Sequence, residues 1–353
     1  MAIRVMIMAG GTGGHVFPAL AVANYLLEAG HQVSWLGTKK GIEARVVPEA
    51  GIAIDWLSVS GLRGKGAISL LLAPLMLLKA CYQASVIIRQ RQPDVVLGLG
   101  GFASGPGGLM SWLHGRPLVI HEQNRVPGTT NRLLKGFAKR VLEAFPNSFD
   151  EKVKAVFTGN PVRKALLEQV EGQTKKGTNV LVVGGSLGAS ILNEVVPNAL
   201  KGLQEGLDLN VIHQAGKTTI ETAKEQYKLA DVNADVRSFI DDMNQAYQWA
   251  DIVICRAGAM TVSELAIMGL PSILVPLPHA IDDHQTKNAA YLADAGAAVL
   301  MPQPSFTSQA LCETLKSLLS NKSRLTKMGS TARSLAKPEA TKLVANVCLE
   351  VAL

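Results

Sequence analysis

The chain has 353 residues, of which 48% are hydrophobic and 18% charged, with a formal net charge of +7. That length suits two domains, and the apolar fraction supplies a large core and excludes wholesale disorder. The basic balance points to anionic partners: nucleic acid, a phosphorylated ligand or an anionic membrane surface.

Arg4–Ala9 reads as a short apolar strand. It runs into Gly10-Gly11-Thr12-Gly13-Gly14-His15, a glycine turn in which the backbone must bend sharply or approach something closely. A helix is expected from Val16 to Ala29, with Val16, Leu20, Ala23 and Leu27 on one face, Pro18 in its first turn and Gly30 as its stop. Further strands are expected at Gln32–Leu36, Asp94–Leu99, Leu118–His121, Arg140–Leu142 and Lys154–Phe157. The second half restarts the pattern with Asn179–Val183, Asn210–His213, Asp235–Phe239, Asp251–Cys255, Ser272–Val275 and Ala298–Met301. Such alternation predicts doubly wound parallel sheets. "VMIMAGGTGG" is echoed by "VLVVGGSLGA" at 180–189, so a second Rossmann-like domain begins near residue 165.

The four cysteines, Cys81, Cys255, Cys312 and Cys348, form no CxxC and read as reduced thiols of a cytoplasmic protein, with no zinc site. The N-terminus lacks a signal-peptide pattern, and no apolar run reaches the length of a spanning helix. The segment Ala67–Leu78 is apolar but broken by Pro74 and bordered by Arg63, Lys65, Lys79, Arg89 and Arg91. Part of it must be buried helix, yet an apolar patch with a basic rim suits attachment to an anionic leaflet.

A strand, a glycine turn and a helix together aim unpaired N–H groups and the positive dipole end at one mouth, which favours phosphate. No GxxxxGK[ST] is present, so a P-loop nucleotidase is not expected. Gly98-x-Gly100-x-x-Ala103, with Glu122 further on, matches the dinucleotide fingerprint and keeps an NAD-dependent enzyme as an alternative. His15 stands at the ligand-facing end of the first strand and where the helix dipole disfavours its protonated form, the placement of a general base. In "CRAGAMTVSELAIMGLP", Glu264 is expected in the first turn of a helix, as a cap or as the acceptor of ribose hydroxyls. "PLPHAIDDHQTKNA" looks like a sugar- or metal-binding loop. Its adjacent Asp282-Asp283 pair is not the spaced Asp-x-Asp of metal-dependent sugar transferases, so a metal-free site is favoured, with helix N-termini and Arg163 carrying diphosphate charge.

The motifs "GGTGGHVFPALA", "GGFASGP", "HEQN", "GNPVR", "GGSLGA", "FIDDM", "AGAMTVSE" and "HAIDDHQTKNA" occur in order along the chain. In this the sequence resembles the MurG family of bacterial N-acetylglucosaminyltransferases. The resemblance implies an α/β architecture of two Rossmann-like domains facing across a cleft, the GT-B glycosyltransferase fold. An N-terminal domain over 1–163 would serve the acceptor and membrane side. A C-terminal domain over 164–339 would serve the UDP-sugar donor side, and a last helix at about 340–353 would pack back on the first. The implied reaction is inverting transfer of N-acetylglucosamine from UDP-N-acetylglucosamine to the C4 hydroxyl of the muramic sugar of lipid I. Its product is lipid II, for peptidoglycan synthesis and through it cell shape and division.

By the same resemblance, Thr12, Gly13 and Gly14 would contact the donor's sugar side and His15 would be the base. Asn124 would bind the sugar, Arg163 the diphosphate region, and Ser186 phosphate. The Ile240 backbone would read uracil. Ala259, Met260, Thr261, Val262, Ser263 and Glu264 would cradle diphosphate and ribose, and Gln285 would bind the transferred sugar. Leu187 and Met260 stand where glutamine and leucine are common. No cofactor or metal is expected. The implied setting is the cytoplasmic face of the inner membrane, with lipid I, an anionic leaflet and other cell-wall synthesis proteins as partners and no nucleic acid. A UDP-sugar epimerase of the same layered fold is the other alternative.

Overall fold

The structure is a computed structural model that describes residues 1–59, 72–168, 177–185, 188–204 and 206–353, except the side chain of residue 281. The chain divides into two compact units, Met1–Arg163 with Lys337–Leu353, and Lys164–Ala336.

In the first unit the strands are β1 (Arg4–Ala9), β2 (Gln32–Gly37), β3 (Ala53–Trp56), β4 (Val95–Gly100), β5 (Leu118–Glu122), β6 (Arg140–Glu143) and β7 (Val156–Phe157). They form one sheet in the order β3-β2-β1-β4-β5-β6-β7, every pairing parallel. A strand buried on both faces must be apolar throughout, and alternation then sends successive side chains to opposite layers. Val5, Ile7 and Ala9 enter one cluster, with Val16, Val22 and Leu26 of the helix Gly13–Glu28. Met6 and Met8 enter the other, with Ala84 and Ile88 of the helix Ala73–Arg91. The helix Ala340–Ala352 returns to the first cluster, where Val344, Ala345 and Cys348 are fully buried. Each such Val, Ile, Leu or Met burial stabilises by about 1.5–3 kcal/mol.

The second unit has β8 (Thr178–Val183), β9 (Leu209–Gln214), β10 (Asp235–Arg237), β11 (Ile252–Cys255), β12 (Ser272–Leu274) and β13 (Ala298–Leu300). Their order is β10-β9-β8-β11-β12-β13, again all parallel. Each sheet therefore reverses its strand order between its first and fourth strands. Ligands of open α/β sheets bind in the crevice at the carboxyl ends beside that reversal. The crevices lie between β1 and β4 in the first unit and between β8 and β11 in the second.

Several expectations need correcting. The first helix begins at Gly13, so both glycines lie inside it, His15 is its third residue, and Pro18 falls beyond the first turn. Its buried face is Val16, Ala19, Val22, Ala23 and Leu26, while Leu27 is exposed. The edge strand β3 has no counterpart among the expected strands; Asp55 interrupts its apolar pattern. Pro74 is the second residue of the helix Ala73–Arg91, where a proline costs little because the N–H has no partner; residues 67–71 of the apolar run lie outside the described residues. Arg91 is no free rim cation: its guanidinium donates to both carboxylate oxygens of Asp55, at 2.7 and 3.0 Å. Arg63 and Lys65 lie outside the described residues.

Candidate active site

The first crevice is lined by two glycine turns in contact. Gly101 has φ +84°, and a side chain there would collide with the Gly10 carbonyl. Gly100, at φ +102°, lies against His15, where a Cβ would come 3.1 Å from Cε1. These are positions that a glycine alone fills without strain. The turn after β1 is braced from behind by Glu43, fully buried, whose carboxylate accepts from Gly11 N (2.9 Å), Thr38 N (3.0 Å) and Thr38 Oγ1 (2.7 Å). Thr12 is the N-cap of the first helix but makes no side-chain capping bond; its carbonyl accepts from His15 N at 3.2 Å, and the N–H groups of Gly13 and Gly14 face the turn's mouth for a ligand.

His15 is half-buried, and its Nδ1 lies 2.5 Å from Gln123 Oε1. Gln123 Nε2 in turn lies 3.0 Å from His121 Nδ1 and 2.8 Å from the His121 carbonyl oxygen. His121 Nε2 is 3.0 Å from the carbonyl oxygen of Gly159. Burial pushes the His121 imidazole down to about 4, so it is neutral near pH 7. Asn160 Nδ2 donates to the Gln123 carbonyl (3.0 Å), which ties the "GNPVR" segment to "HEQN". Asn124 follows at the same sheet end, half-buried, with its N–H donating to Glu122 Oε1 at 3.0 Å. Glu122 also accepts from Gly128 N (2.9 Å) and Asn131 Nδ2 (2.8 Å). Its carboxylate thus organises a loop rather than facing ribose, and the fingerprint-like turn follows β4 rather than the first strand. Both facts weigh against the NAD reading.

Ser186 and Leu187, which follow β8 in the sequence, lie outside the described residues. After β11 comes Arg256-Ala257-Gly258 and the helix Ala259–Met268, whose N-cap Gly258 offers no side chain. The N–H groups of Ala259, Met260 and Thr261 therefore open into the crevice. Glu264 is the helix's sixth residue, one turn deeper than expected, because the helix starts at Ala259; it cannot be the cap. Its Oε2 accepts from the buried Tyr247 hydroxyl at 3.0 Å. Val262 is buried, and the Ser263 hydroxyl donates to the Ala259 carbonyl. Burial, and then the Glu264 charge, pushes the Cys255 thiol up to about 12 and leaves it inert.

Gln285 lies in the helix His284–Ala293, with Oε1 accepting from Leu277 N at 2.9 Å, which turns its amide nitrogen the other way. Asn288 Nδ2 donates to the Ala257 carbonyl, joining this helix to the turn after β11. Ile240 is buried after β10 and Arg163 is exposed. Asp283 Oδ1 accepts from Thr286 Oγ1 (2.6 Å). Among the described residues no group of three or more His, Cys, Asp or Glu is placed to hold a metal.

Sequence reasoning did not single out Gln123, His121, Glu43 or Arg256. The first two had a signal: Gln123 follows directly on β5, and residues two apart in an extended chain share a face. Glu43 is a lone carboxylate among apolar neighbours in "GIEARVV". Arg256 is half-buried, and its guanidinium donates to the carbonyls of Val275 (3.2 Å) and Pro276 (3.0 Å) and to Gln303 Oε1 (2.8 Å).

Two doubly wound parallel sheets, each with glycine turns at its reversal point, form the layered architecture of the GT-B class of glycosyltransferases. The N-terminal domain of glycosyltransferase family 28 matches residues 5–143, and the family's C-terminal domain matches 179–344. The UDP-N-acetylglucosamine--N-acetylmuramyl-(pentapeptide) pyrophosphoryl-undecaprenol N-acetylglucosamine transferase of Methylococcus capsulatus is 57% identical, with 100% of this chain and 99% of that protein aligned. The crystal structure of Acinetobacter baumannii MurG has a TM-score of 0.83 at 43% identity, covering 99% of each chain. A UDP-N-acetylglucosamine 2-epimerase structure scores 0.69 at 14% identity over 98% of this chain and 95% of that one, a likeness of fold alone. The chain belongs to glycosyltransferase family 28 and, within it, to the MurG family.

Proposed function

We propose that the protein transfers N-acetylglucosamine from UDP-N-acetylglucosamine to the C4 hydroxyl of the muramic sugar of undecaprenyl-diphospho-muramoylpentapeptide, with inversion. The observation that carries this reading is His15, its imidazole pinned at the carboxyl end of the first sheet between Gly100 and Gln123. The acceptor hydroxyl gives its proton to His15 as its oxygen bonds to the anomeric carbon. The bond from that carbon to the diphosphate breaks, and its electron pair leaves with UDP. Thr12, Gly13, Gly14 and Asn124 contact sugar in the first unit.

In the second unit, the N-terminal amides of Ala259–Met268 and Ser186 hold diphosphate. Arg163, the last residue of the first unit before the second begins, adds positive charge. These donors stabilise the leaving group without reorganising. Glu264 takes the ribose hydroxyls, the Ile240 backbone reads uracil, and Gln285 offers its amide nitrogen to the transferred sugar. The reaction needs no metal, since the diphosphate charge is met by amides and arginine.

The lipid-linked acceptor calls for an anionic membrane surface. Leu75, Leu78 and Tyr82 are 64%, 66% and 72% exposed along one side of the helix Ala73–Arg91, with Lys79 among them. Trp112 and Leu113 are exposed on the helix Ser104–Leu113, which packs against it. These side chains support a peripheral attachment. No helix among the described residues is long and apolar enough to cross a membrane.

The test is label transfer from UDP-N-acetylglucosamine to an acceptor analogue, in excess chelator, for the wild type and His15→Ala. The variant should keep UDP affinity and lose about 10²–10⁴-fold in turnover, the usual worth of a positioned base. Near-normal turnover would return His15 to a structural role. Epimerised free sugar nucleotide without transfer would favour the epimerase instead.

A further inference from the structure

The hydrogen bonds behind His15 fix more than its position. The Gly159 carbonyl only accepts, so His121 Nε2 carries a proton. His121 is fully buried and neutral, so its Nδ1 is bare. Gln123 Nε2 faces that bare nitrogen and the His121 carbonyl oxygen. Flipping the amide would set its oxygen against two acceptors, so the amide orientation is determined and Oε1 must face His15. An amide oxygen only accepts, so His15 Nδ1 is the donor of the 2.5 Å contact. A neutral imidazole carries one N–H, and His15 Nε2 is therefore left with its lone pair. The chain of bonds is anchored on backbone carbonyls, which cannot change their role.

We propose that Gln123 and His121 are positioning residues that lock His15 in its Nδ1–H tautomer, so that Nε2 is the sole nitrogen able to take the acceptor's proton. This rests on reading His15 as the base. The lock orients without adding charge: a neutral amide stands where a carboxylate would bias the ring toward imidazolium. When Nε2 takes the proton, the Nδ1–H···Oε1 bond persists, so nothing behind the ring rearranges during the reaction. The Gly100 backbone, which lies beside the ring, is also uncharged.

The tautomer is read directly by ¹⁵N NMR of histidine-labelled full-length protein, with His15 assigned by loss of its signals in His15→Asn. The expected result is a protonated Nδ1 and a bare Nε2, the reverse of what an unconstrained neutral histidine prefers in water. Gln123→Leu should return His15 to the Nε2–H form. It should lower kcat by about 10–100-fold, less than the loss of the base itself, with the donor KM within about twofold. Gln123→Glu keeps an acceptor and adds charge. It should preserve the tautomer and move the acid limb of the rate profile to higher pH.

A wild-type His15 protonated on Nε2 overturns the proposal, and that measurement needs no variant to fold. So does a folded Gln123→Leu protein with unchanged tautomer and kcat. Normal turnover in His15→Ala would defeat the base reading while the wild-type spectrum still decided the lock.

Discussion

Glu43 offers a quantitative test of how the first glycine turn is held. Its Oε1 accepts from both Thr38 N and Thr38 Oγ1, while Oε2 serves Gly11 N alone. In Glu43→Gln the amide can keep its oxygen toward Thr38, satisfying two donors, and must then turn its NH₂ toward Gly11. One hydrogen bond to a charged acceptor is lost, and a donor is set against a donor in a fully buried place. The loss of that bond alone costs about 1.5–3 kcal/mol. The volume is unchanged, so no cavity adds to it. For a unit of this size the melting temperature should fall by roughly 3–12 °C. Thermal unfolding followed by circular dichroism, with urea titration beside it, gives the number. Turnover should fall as well, because Gly11 lies in the turn that leads into the helix carrying His15. A variant as stable as the wild type would show that the Oε2–Gly11 bond does not hold the turn, and the bracing argument would be wrong.

The remaining expectations concern other parts of the molecule. Glu264→Ala should weaken UDP by about 1–3 kcal/mol, the scale of lost hydrogen bonds to a charged acceptor; unchanged affinity by calorimetry would reduce Glu264 to a partner of Tyr247. Replacing Leu75 and Leu78 with serine should weaken binding to anionic vesicles without loss of stability, and wild-type binding should wash off in high salt. Full vesicle retention by the folded double variant would move the contact elsewhere. Burial holds His121 at about 4 and His213 at about 3, below the roughly 6.5 of an unfolded histidine. The unfolded chain therefore takes up protons first as pH falls. Stability is full above about pH 6.5 and should drop by about 1.4 kcal/mol per pH unit for each histidine down to its folded value. His213→Leu should flatten that slope by one proton in urea titrations between pH 7 and 5, and an unchanged slope would count against the burial effect.

The sequence is most legible where one physical demand rules a segment. β1 spans the expected Arg4–Ala9, because from Val5 onward it is buried on both faces and has no room for a polar residue until the glycine turn. β3 is invisible: an edge strand of four residues with a central aspartate carries almost no alternation. The first helix starts three residues before the expected Val16; glycine is a poor helix former, so the helical Gly13 and Gly14 hide that start in the sequence. Glu264 lies a turn deeper than its sequence suggests, because the helix start at Ala259 follows a turn with no capping side chain to mark it. Gln123 and His121 are hidden inside "HEQN", where the eye goes to the residue that would touch a ligand. Their partners, His15 and Gly159, are 108 and 38 residues away, and only the sheet order brings them together.

The return of the helix Ala340–Ala352 to the first sheet has a bearing on how the chain is made. The second unit is in effect an insertion, complete in sequence before the first unit is. A growing chain can close β8 to β13 into a sheet as soon as residue 336 has emerged. The first unit must meanwhile wait with the places of Val344, Ala345 and Cys348 unfilled and the apolar face beneath them open to water. The half that begins synthesis is thus the half that finishes folding last. A released chain that ends before Ala340 would carry one closed unit and one exposed core, the species that chaperones recognise and that aggregates most readily.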